Sequence, residues 1–460
     1  MPLTEQQTSA RKSPDPDARI ARARAARTAV PLAGHAEFPS PVRRADPLTL
    51  LARQDAGRVP ELRPLRYGRM AVSPLAYFRG AALPAAADLA LTPRTGFTVQ
   101  ACGDAQLANF GLSTAQGRRL VFDFADFDET LPAPWEWDVK RLAASFEVAG
   151  REFGHPPAMR RRAVLAAAES YRQAMHDFAR RTTLDIFFAP ADARTLRVVA
   201  AHRLGPARRP APGPHRFTEI RDGRLCLAAR GPLVVPAGRL AGDGDPATLT
   251  DRLDAVLAKY RRTLGPARRA LLDRYRLADA ARTVSGPGDA GTRCWVVLLV
   301  RTGTGDPLFL QLKEAGPSVL QEYTGAAAAK GGPGRRVVAG QRRIQATGDV
   351  FLGWARAAGF GGGAREFHVR RLRDGRDAGE VPAMTPEVLR AHARLYGWTV
   401  ARAHARTGDA LAIAAYLGSG PAFAEAIREF AVSCADQNER DHAALRQAIR
   451  LGHVAAAAGA

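Results

Sequence analysis

The sequence predicts an α+β protein in which helices dominate and a small β-rich segment comes late in the chain. Hydrophobic residues make up 46% of the 460 residues, a share typical of folded globular proteins. Long stretches with helical periodicity are interrupted by a few short β-favouring runs, and no internal repeat is evident. A chain of this length can form about two or three domains with substantial cores.

Composition and periodicity divide the chain into four segments. Residues 1–45 are rich in Arg, Ala and Pro and have no large apolar face, so a flexible basic tail is expected. Residues 46–280 are predicted to be mostly helical and to carry a catalytic and metal-binding hairpin. Residues 281–375 form the β-rich segment, and residues 376–460 are helical and expected to pack on the first helical part.

Periodicity and capping signals place the individual elements in order. Helices are predicted at SPLAYFRGAALPAAADLAL, with a break near Pro84, and at PWEWDVKRLAASFEVAG, PPAMRRRAVLAAAESYRQAMHDFARR and ATLTDRLDAVLAKYRRTLGPARRALLDRY. Strands are predicted at FTVQACGD, RRLVFDFADF, RCWVVLLV, PLFLQLKEA and REFHVRRLRD, with a hairpin at Asp222-Gly223. The last helical segment is expected to begin at Thr385 as N-cap, with Pro386 in the first position.

The net charge of +22 is the strongest compositional feature. Such a surface attracts polyanions, and nucleic acid is the usual partner. The arginines are nevertheless spread along the whole chain without a recognisable nucleic-acid module, so a general bias towards Arg and Ala is the favoured explanation. Lysine is rare, and the lysines are Lys12, Lys140, Lys259, Lys313 and Lys330. A buried lysine is therefore expected to have a specific role.

The sequence contains no long uninterrupted apolar run that would span a membrane and no apolar core of a secretory signal. We therefore expect a cytoplasmic protein without a membrane partner. The cysteines are scattered, at Cys102, Cys226, Cys294 and Cys434. Without a CxxC pair or a close histidine, a structural zinc or a disulfide framework is not expected.

An acidic segment, CGDAQLANFGLSTAQGRRLVFDFADFDET, stands out in this basic chain. Asp104 and Asn109 follow a predicted strand in the pattern G-D-x-x-x-x-N, and Asp123 lies near the end of the next strand. If these strands form a hairpin, the three side chains meet at one end. Oxygen ligands of this kind suit Mg²⁺, and a further aspartate could accept a proton from an attacking hydroxyl. The alternative is that these residues merely cap turns.

These motifs resemble the protein-kinase-like superfamily, especially its aminoglycoside phosphotransferase branch. That branch has a G-D-x-x-x-x-N loop, then a strand ending in D-[FW]-x-D, matched here by Asp123 to Asp126. Asp138 in APWEWDVKRLA takes the place of a structural aspartate at a helix start. The resemblance implies that Asp104 is the catalytic base. It also implies that Asn109 and Asp123 are metal ligands, with Asp126 as a further one.

The chain from about His35 to His442 also resembles a bacterial family, domain-of-unknown-function family 2252. The stretches that carry this resemblance are YGRMAVSPLAYFRGAA, FDETLPAPWEWDVKRLAAS and VARAHARTGD. The family name carries no established activity. One departure is Gln106, where the family has a histidine.

A kinase-like enzyme also needs a glycine-rich loop and a lysine for the phosphates, and both occur downstream. The segment GPGDAG has the pattern G-x-G-x-x-G, with its glycines at Gly286, Gly288 and Gly291. The β-favouring run WVVLLV follows it, which suits a hairpin over ATP better than a dinucleotide-binding turn. Lys313 lies in the middle of the strand PLFLQLKEA. Glu322 is expected to pair with this lysine, and Glu314 is the alternative.

This order is the reverse of that in ordinary kinases, so the resemblance implies a circularly permuted, two-lobed, kinase-like fold. A second Gly-Asp pair at Asp409 is followed five residues later by Ala414 and by no D-F strand, so it cannot hold a metal in the same way. We therefore expect a Mg²⁺- and ATP-dependent phosphotransferase with a small-molecule or protein hydroxyl acceptor. Transfer of the nucleotide would use the same residues. The alternative is a catalytically silent ATP-binding or nucleic-acid-associated protein with a basic surface.

Overall fold

A computed structural model describes residues 15–114, 120–204, 218–221, 223–229, 234–237, 246–284, 286–326, 330–358, 363–372 and 381–457. The helices in these ranges are α1 (Pro16–Ala29), α2 (Pro47–Asp55), α3 (Arg63–Met70), α4 (Pro74–Gly80), α5 (Ala82–Ala90), α6 (Trp135–Glu152), α7 (Pro157–Phe178), α8 (Thr183–Phe188), α9 (Ala193–Leu204), α10 (Pro246–Arg261), α11 (Pro266–Leu272), α12 (Gln321–Thr324), α13 (Gly332–Ile344), α14 (Pro386–Ala405), α15 (Ala410–Leu417) and α16 (Ala422–Arg450). The strands are β1 (Thr98–Ala101), β2 (Phe110–Thr114), β3 (Leu120–Phe124), β4 (Leu131–Pro134), β5 (Thr218–Arg221), β6 (Arg224–Leu227), β7 (Val234–Pro236), β8 (Tyr275–Thr283), β9 (Cys294–Arg301), β10 (Pro307–Glu314), β11 (Gly353–Ala357) and β12 (Arg365–Arg371). The fold is α+β, as the sequence predicts.

Helix boundaries follow the capping signals. Helix α14 begins after Thr385, whose hydroxyl accepts the N–H of Val388, and Pro386 occupies the first helical position. The predicted break near Pro84 lies instead at Ala81, between α4 and α5. Proline is tolerated in the first turn of a helix, where its missing N–H would have no intrahelical partner, so Pro84 does not interrupt α5.

A helical body forms the larger core, with α6 at its centre and α7, α14 and α16 around it. Most of α6 is buried, including Trp135 and Trp137 in its first turn. The Trp135 ring stacks on Tyr171 of α7 at a centroid distance of 5.6 Å. The C-terminal helices therefore pack on the same core as the helices that follow the acidic segment.

A six-stranded antiparallel sheet forms the second part of the molecule, in the order β11-β12-β10-β9-β8-β7. Strand β9 is almost entirely apolar because both faces of the sheet are covered. On one face Val297 and Leu299 join the cluster formed with α10. On the other face Val296 and Leu298 join a cluster that reaches β6.

The sheet unit begins earlier in the chain than residue 281, the predicted boundary. Strand β7 and helix α10 precede that residue, and β8 starts at Tyr275. Leu253, Val256 and Tyr260 of α10 are buried against the sheet. Periodicity reveals the apolar face of α10, but it does not show which part of the molecule covers that face.

The predicted flexible tail also differs from the structure. Residues 1–14 lie outside the described residues, but residues 16–29 form α1, which packs on α15. Arg19 donates to Asp409 at 3.0 Å, and Arg27 donates to the carbonyl of Ala415 at 2.7 Å. Because arginine contacts rather than a large apolar face hold α1, hydrophobic periodicity does not predict its docking. Asp409 also caps α15, so the second Gly-Asp pair has structural partners.

The short strands of the acidic segment pair differently from the expected hairpin. Strand β1, which precedes Asp104, pairs with β4, whereas β2 pairs with β3. In the second pair, Asp123 lies opposite Gly111. Asp104 follows β1 of the first pair, whereas Asp123 lies within β3 of the second, so the two are not brought to one hairpin end.

Taken singly, none of the described helices has both the length and the apolar composition needed to cross a bilayer. Helices α15 and α16 satisfy these criteria only when joined, and they are bent by 87° at their junction.

Candidate functional site

The loop after β1 is fixed by a glycine and by an aspartate of α6. Gly103 has a φ of +89°, and a Cβ atom there would lie 2.4 Å from the carbonyl oxygen of Glu129. Asp138 accepts the N–H of Cys102 at 2.7 Å and that of Gly103 at 3.0 Å. His404 lies 3.2 Å from the same carboxylate. Asp138 thus has a structural role, and the loop presents Asp104 in a defined position.

Asp104 lies at the cleft between the helical body and the glycine-containing turn. Its carboxylate is paired with Nε of Arg141 at 2.9 Å and accepts Nδ2–H of Asn109 at 2.9 Å. Burial raises the pKa of Asp104, although the charge of Arg141 opposes the shift. The structure therefore brings Asp104 and Asn109 together, and the amide oxygen is the side-chain atom of Asn109 suited to a metal.

Gln106 replaces the histidine expected from the family resemblance. It is buried, and its side-chain oxygen accepts the N–H of Ala108 at 3.1 Å. This contact caps the short 3-10 turn that ends at Asn109. Glutamine at this position therefore supports the loop through an ordinary capping contact.

Asp123 does not lie with the other predicted metal ligands. Its side chain is buried and forms an ion pair of 2.9 Å with Arg402 of α14. The other carboxylate oxygen accepts the N–H of Ala346 at 2.5 Å. These contacts join β3 to α14 and to the end of α13, so the geometry gives Asp123 a structural role and does not support it as a ligand.

The carboxylates that do converge are those of Asp126, Asp128 and Asp289, with one oxygen of each within 4.8 Å of the others. Lys313 lies among them, with Nζ 2.5 Å from Asp289 and 3.5 Å from Asp126, and it also contacts Asp128. One oxygen of Asp128 is buried without a hydrogen-bond partner among the described residues. Three carboxylates facing one ammonium group leave negative charge that a divalent cation could balance, so this donor set fits Mg²⁺.

The two aspartates that the acidic segment contributes to this cluster have pKa values shifted in opposite directions. Burial raises the pKa of Asp128 to about 7, and the charge of Asp126 adds to the shift. Burial has the same tendency at Asp126, but the charges of Lys313 and Arg370 outweigh it and lower the pKa of Asp126 to about 2. Burial likewise opposes the charge of Lys313, and the three aspartates outweigh it and raise the lysine pKa.

Two arginines from the sheet side hold the main chain of the acidic segment in place. Arg370 of β12 donates to the carbonyl of Ala125 at 2.6 Å. Arg336 of α13 donates to the carbonyls of Asp128 at 2.6 Å and Thr130 at 2.7 Å. Because these contacts fix the backbone on both sides of Asp126, the position of the carboxylates depends on the sheet.

Neither of the predicted glutamate partners contacts Lys313. Glu322 on α12 is half-exposed and pairs with Arg53 at 2.8 Å. Glu314 pairs with Arg293 and with Arg365, each at 3.1 Å. The lysine itself points into the acidic cluster instead, because strand alternation places Lys313 and Glu314 on opposite faces of β10.

The G-x-G-x-x-G pattern, residues 286–291, lies in the connection between β8 and β9. Residue 285, just before the pattern, lies outside the described residues. Gly291 has a φ of +90°. Arg58 donates to the carbonyl of Ala290 at 2.6 Å, and the N–H of Val59 donates to that of Gly291 at 2.7 Å. Gly288 also lines the cleft, together with Asp104 and Asn109. The turn is thus docked on the segment that precedes α3.

Sequence reasoning missed several residues of this cleft. Asp289 lies within the glycine-containing turn, and an acidic residue in that pattern was the available signal. Arg141 comes three residues after Asp138 in the helix start, but nothing in the spacing indicates that it reaches Asp104. Arg58 also lines the cleft, near Arg79, and the two guanidinium groups add positive charge to its wall.

Comparison with known proteins gives the family. The family described as "Uncharacterized protein conserved in bacteria (DUF2252)" matches residues 58–448, so the chain belongs to it. This confirms the family resemblance seen in the sequence. No curated protein and no solved structure matches the chain. The matched range contains the acidic segment and the whole six-stranded sheet.

Proposed function

We propose that this protein is an ATP-dependent phosphotransferase with a circularly permuted, kinase-like arrangement, using Mg²⁺ and a hydroxyl acceptor. The observation that carries the proposal is the position of Lys313 among Asp126, Asp128 and Asp289. A lysine beside metal-binding carboxylates is the arrangement by which kinases hold the phosphates of ATP.

The order of elements in the sheet supports the same interpretation. A glycine-containing turn joins β8 and β9, the lysine is on the next strand, β10, and α13 comes before the remaining strands. Protein kinases also have a glycine-rich loop, then a lysine on the third strand, then a helix. Here this unit follows the Asp104 segment in the chain, whereas in kinases it precedes the catalytic loop, and the proposed permutation accounts for the difference. In protein kinases a glutamate of that helix pairs with the lysine. Glu322 does not take this role, because it pairs with Arg53.

Asp126, Asp128 and Asp289 would hold the metal, with the amide oxygen of Asn109 as a further ligand of the same type. When bound, Mg²⁺ would neutralise charge on the phosphates. Lys313 would exchange part of its contact with the aspartates for contact with phosphate oxygens. Arg58 and Arg79 on the cleft wall would offset part of the negative charge of the carboxylates and could contact phosphate oxygens.

Asp104 would accept the proton of the acceptor hydroxyl as the hydroxyl oxygen forms a bond to the terminal phosphorus of ATP. The bond from that phosphorus to the bridging oxygen breaks, and ADP leaves with the electron pair. A carboxylate whose pKa is raised by burial is a better proton acceptor than an exposed one. Arg141 and Asn109 would keep the carboxylate oriented towards the acceptor.

The test is incubation of the full chain with ATP and a panel of hydroxyl compounds, with and without Mg²⁺, followed by ³¹P NMR. Mg²⁺-dependent formation of ADP and a new phosphate ester, lost in the Lys313→Met variant, supports the proposal. Release of pyrophosphate would show nucleotidyl transfer instead. Tight binding of Mg-ATP without any turnover, even with water as the acceptor, would favour the silent ATP-binding alternative. A salt-sensitive shift of DNA mobility in a gel, without ATP binding, would favour the nucleic-acid alternative.

A further inference from the structure

A second, strongly basic pocket lies apart from the cleft. It is open, with a volume of about 440 Å³, and it is bordered by β1, α8 and the C-terminal ends of α13 and α14. Arg342, Arg343 and Arg406 line it, and none of the nine described residues around it is acidic. It shares no lining residue with the cleft that contains Asp104.

The three arginines have neutral hydrogen-bond acceptors. Arg342 donates to the carbonyl of Leu352 at 2.8 Å, and Arg343 donates to the side-chain oxygen of Gln100 at 3.0 Å. Arg406 donates to the carbonyl of Gln345 at 2.8 Å. Such contacts satisfy N–H groups but leave the three positive charges without an ion-pair partner in the part of the chain that the structure describes, so the pocket is suited to an anion.

A buried ion pair, Arg402 with Asp123, lies behind the pocket. Burial and the neighbouring Arg402 lower the pKa of Arg406 to about 10, and Asp123 only partly opposes the shift. Asp123 is already paired with Arg402 at 2.9 Å. Because Asp123 pairs with Arg402, Arg406 has no ion-pair partner of its own among the described residues, and an anion in the pocket would supply one.

One rim of the pocket is apolar and exposed. The guanidinium of Arg406 lies 4.1 Å from the ring centre of Phe187 on α8, and Phe188 and Leu184 on the same short helix are 71% and 69% exposed. The pocket thus has cationic side chains in its interior and apolar side chains at one edge. A molecule that carries a phosphate group on an apolar or extended remainder would contact both parts.

We infer that this pocket binds the phosphate group of a phosphomonoester. Arginine forks match the geometry of phosphate oxygens, and the volume is within the range of small-molecule sites. A soluble phosphorylated compound and the headgroup of phosphatidic acid present the same group, and the apolar rim is compatible with either source. The inference does not depend on the proposed function, because the two sites have no residue in common.

The experiment measures binding of three probes to the full chain at matched ionic strength: inorganic phosphate, glycerol 3-phosphate, and phosphatidylcholine vesicles with and without phosphatidic acid. Calorimetry serves for the soluble probes and co-sedimentation for the vesicles. Arg343→Gln and Arg406→Gln are each expected to weaken binding about 10- to 100-fold, the usual effect of losing a charge-assisted hydrogen bond. The first variant keeps the test valid if the second fails to fold.

Arg335→Gln is the matched control, because Arg335 is exposed on the same helix and lies outside the pocket. It removes the same charge and should leave binding unchanged. Selective binding of the soluble probes or of phosphatidic acid vesicles identifies the source of the phosphate. Failure of the wild type to bind any probe, equal weakening in Arg335→Gln, or loss of binding only in Lys313→Met would each overturn the inference.

Discussion

Nζ of Lys313 lies 3.5 Å from a carboxylate oxygen of Asp126, although β10 and the acidic segment are far apart in the chain. The contact joins β10 of the sheet to the acidic segment, which packs on the helical body. It also places Asp289, from the glycine-containing turn, beside the same ammonium group at 2.5 Å. Two sequence motifs that are separately incomplete thus meet at one cluster of charges.

Replacing Lys313 by methionine should weaken binding of Mg-ATP by about 10- to 100-fold, because a charge-assisted contact to the phosphates is lost. In the absence of ligands the same change should cost roughly 1–3 kcal/mol of stability. The cost is modest because the side chains of Asp126, Asp128 and Asp289 are 25–30% exposed, so water screens their charges. Calorimetry and urea unfolding measure the two effects. Lys259→Met, at an exposed position, should change neither.

Asp104→Asn should keep Mg-ATP affinity nearly intact and lower turnover by about two to four orders of magnitude, the usual contribution of a general base. Asparagine keeps the size of the side chain but cannot take the proton. Asp409→Asn is the matched control, since it alters the second Gly-Asp pair. That control should weaken the ion pair with Arg19, whereas asparagine can still cap α15, and it should retain turnover. Equal turnover in wild type and Asp104→Asn would exclude Asp104 as the base.

Asp126→Asn should affect nucleotide binding, whereas Asp123→Asn should affect stability. The first removes a ligand-type carboxylate from the cluster, so Mg²⁺-dependent nucleotide binding should be lost while the fold is retained. The second leaves Arg402 buried without its partner, which typically costs about 3–5 kcal/mol of stability. Nucleotide titration and thermal unfolding distinguish them. If Asp123→Asn were as stable as wild type but failed to bind Mg²⁺, the assignment of ligands would have to be reversed.

Lys140 should make stability depend on pH in the alkaline range. It is fully buried on α6, its Nζ has no hydrogen-bond partner among the described residues, and it lies 4.7 Å from the ring centre of Phe430. Burial lowers the pKa of Lys140 from 10.5 to about 8, and the charge of Glu136 opposes the shift. Between these two pH values the unfolded chain binds a proton that the folded chain does not, so this residue makes stability rise with pH.

Lys140→Met should therefore be more stable than wild type at neutral pH, by roughly 1–3 kcal/mol. The difference should shrink as the pH rises from about 8 to 10.5, because the wild-type lysine is then neutral in the folded state. Urea unfolding at several pH values measures it, with Lys259→Met as the exposed control. A difference that stays constant across this range would contradict the assignment of a charged, unpaired lysine.

Much of the local structure could be predicted because its causes are short-range. The N-cap at Thr385, the turn between β8 and β9 and the placement of Lys313 within a strand follow from residue type and spacing alone. The docking of α1 could not be predicted, since it depends on contacts with α15, which is far away in sequence. The same holds for the apolar face of α10, whose partner is the sheet.

The sequence by itself determined the fold class, the family resemblance, and the segments in which the charged residues of the cleft lie. Only the tertiary structure decided which of the closely spaced aspartates share the cleft. Asp123 lies within β3 and meets Arg402, whereas Asp126 lies beyond the end of that strand and meets Lys313. Spacing along a chain limits where a carboxylate can be, but the position of its counter-charge is set by packing between distant elements. For that reason the partners of Lys313, and the basic pocket around Arg406, depend on the folded structure.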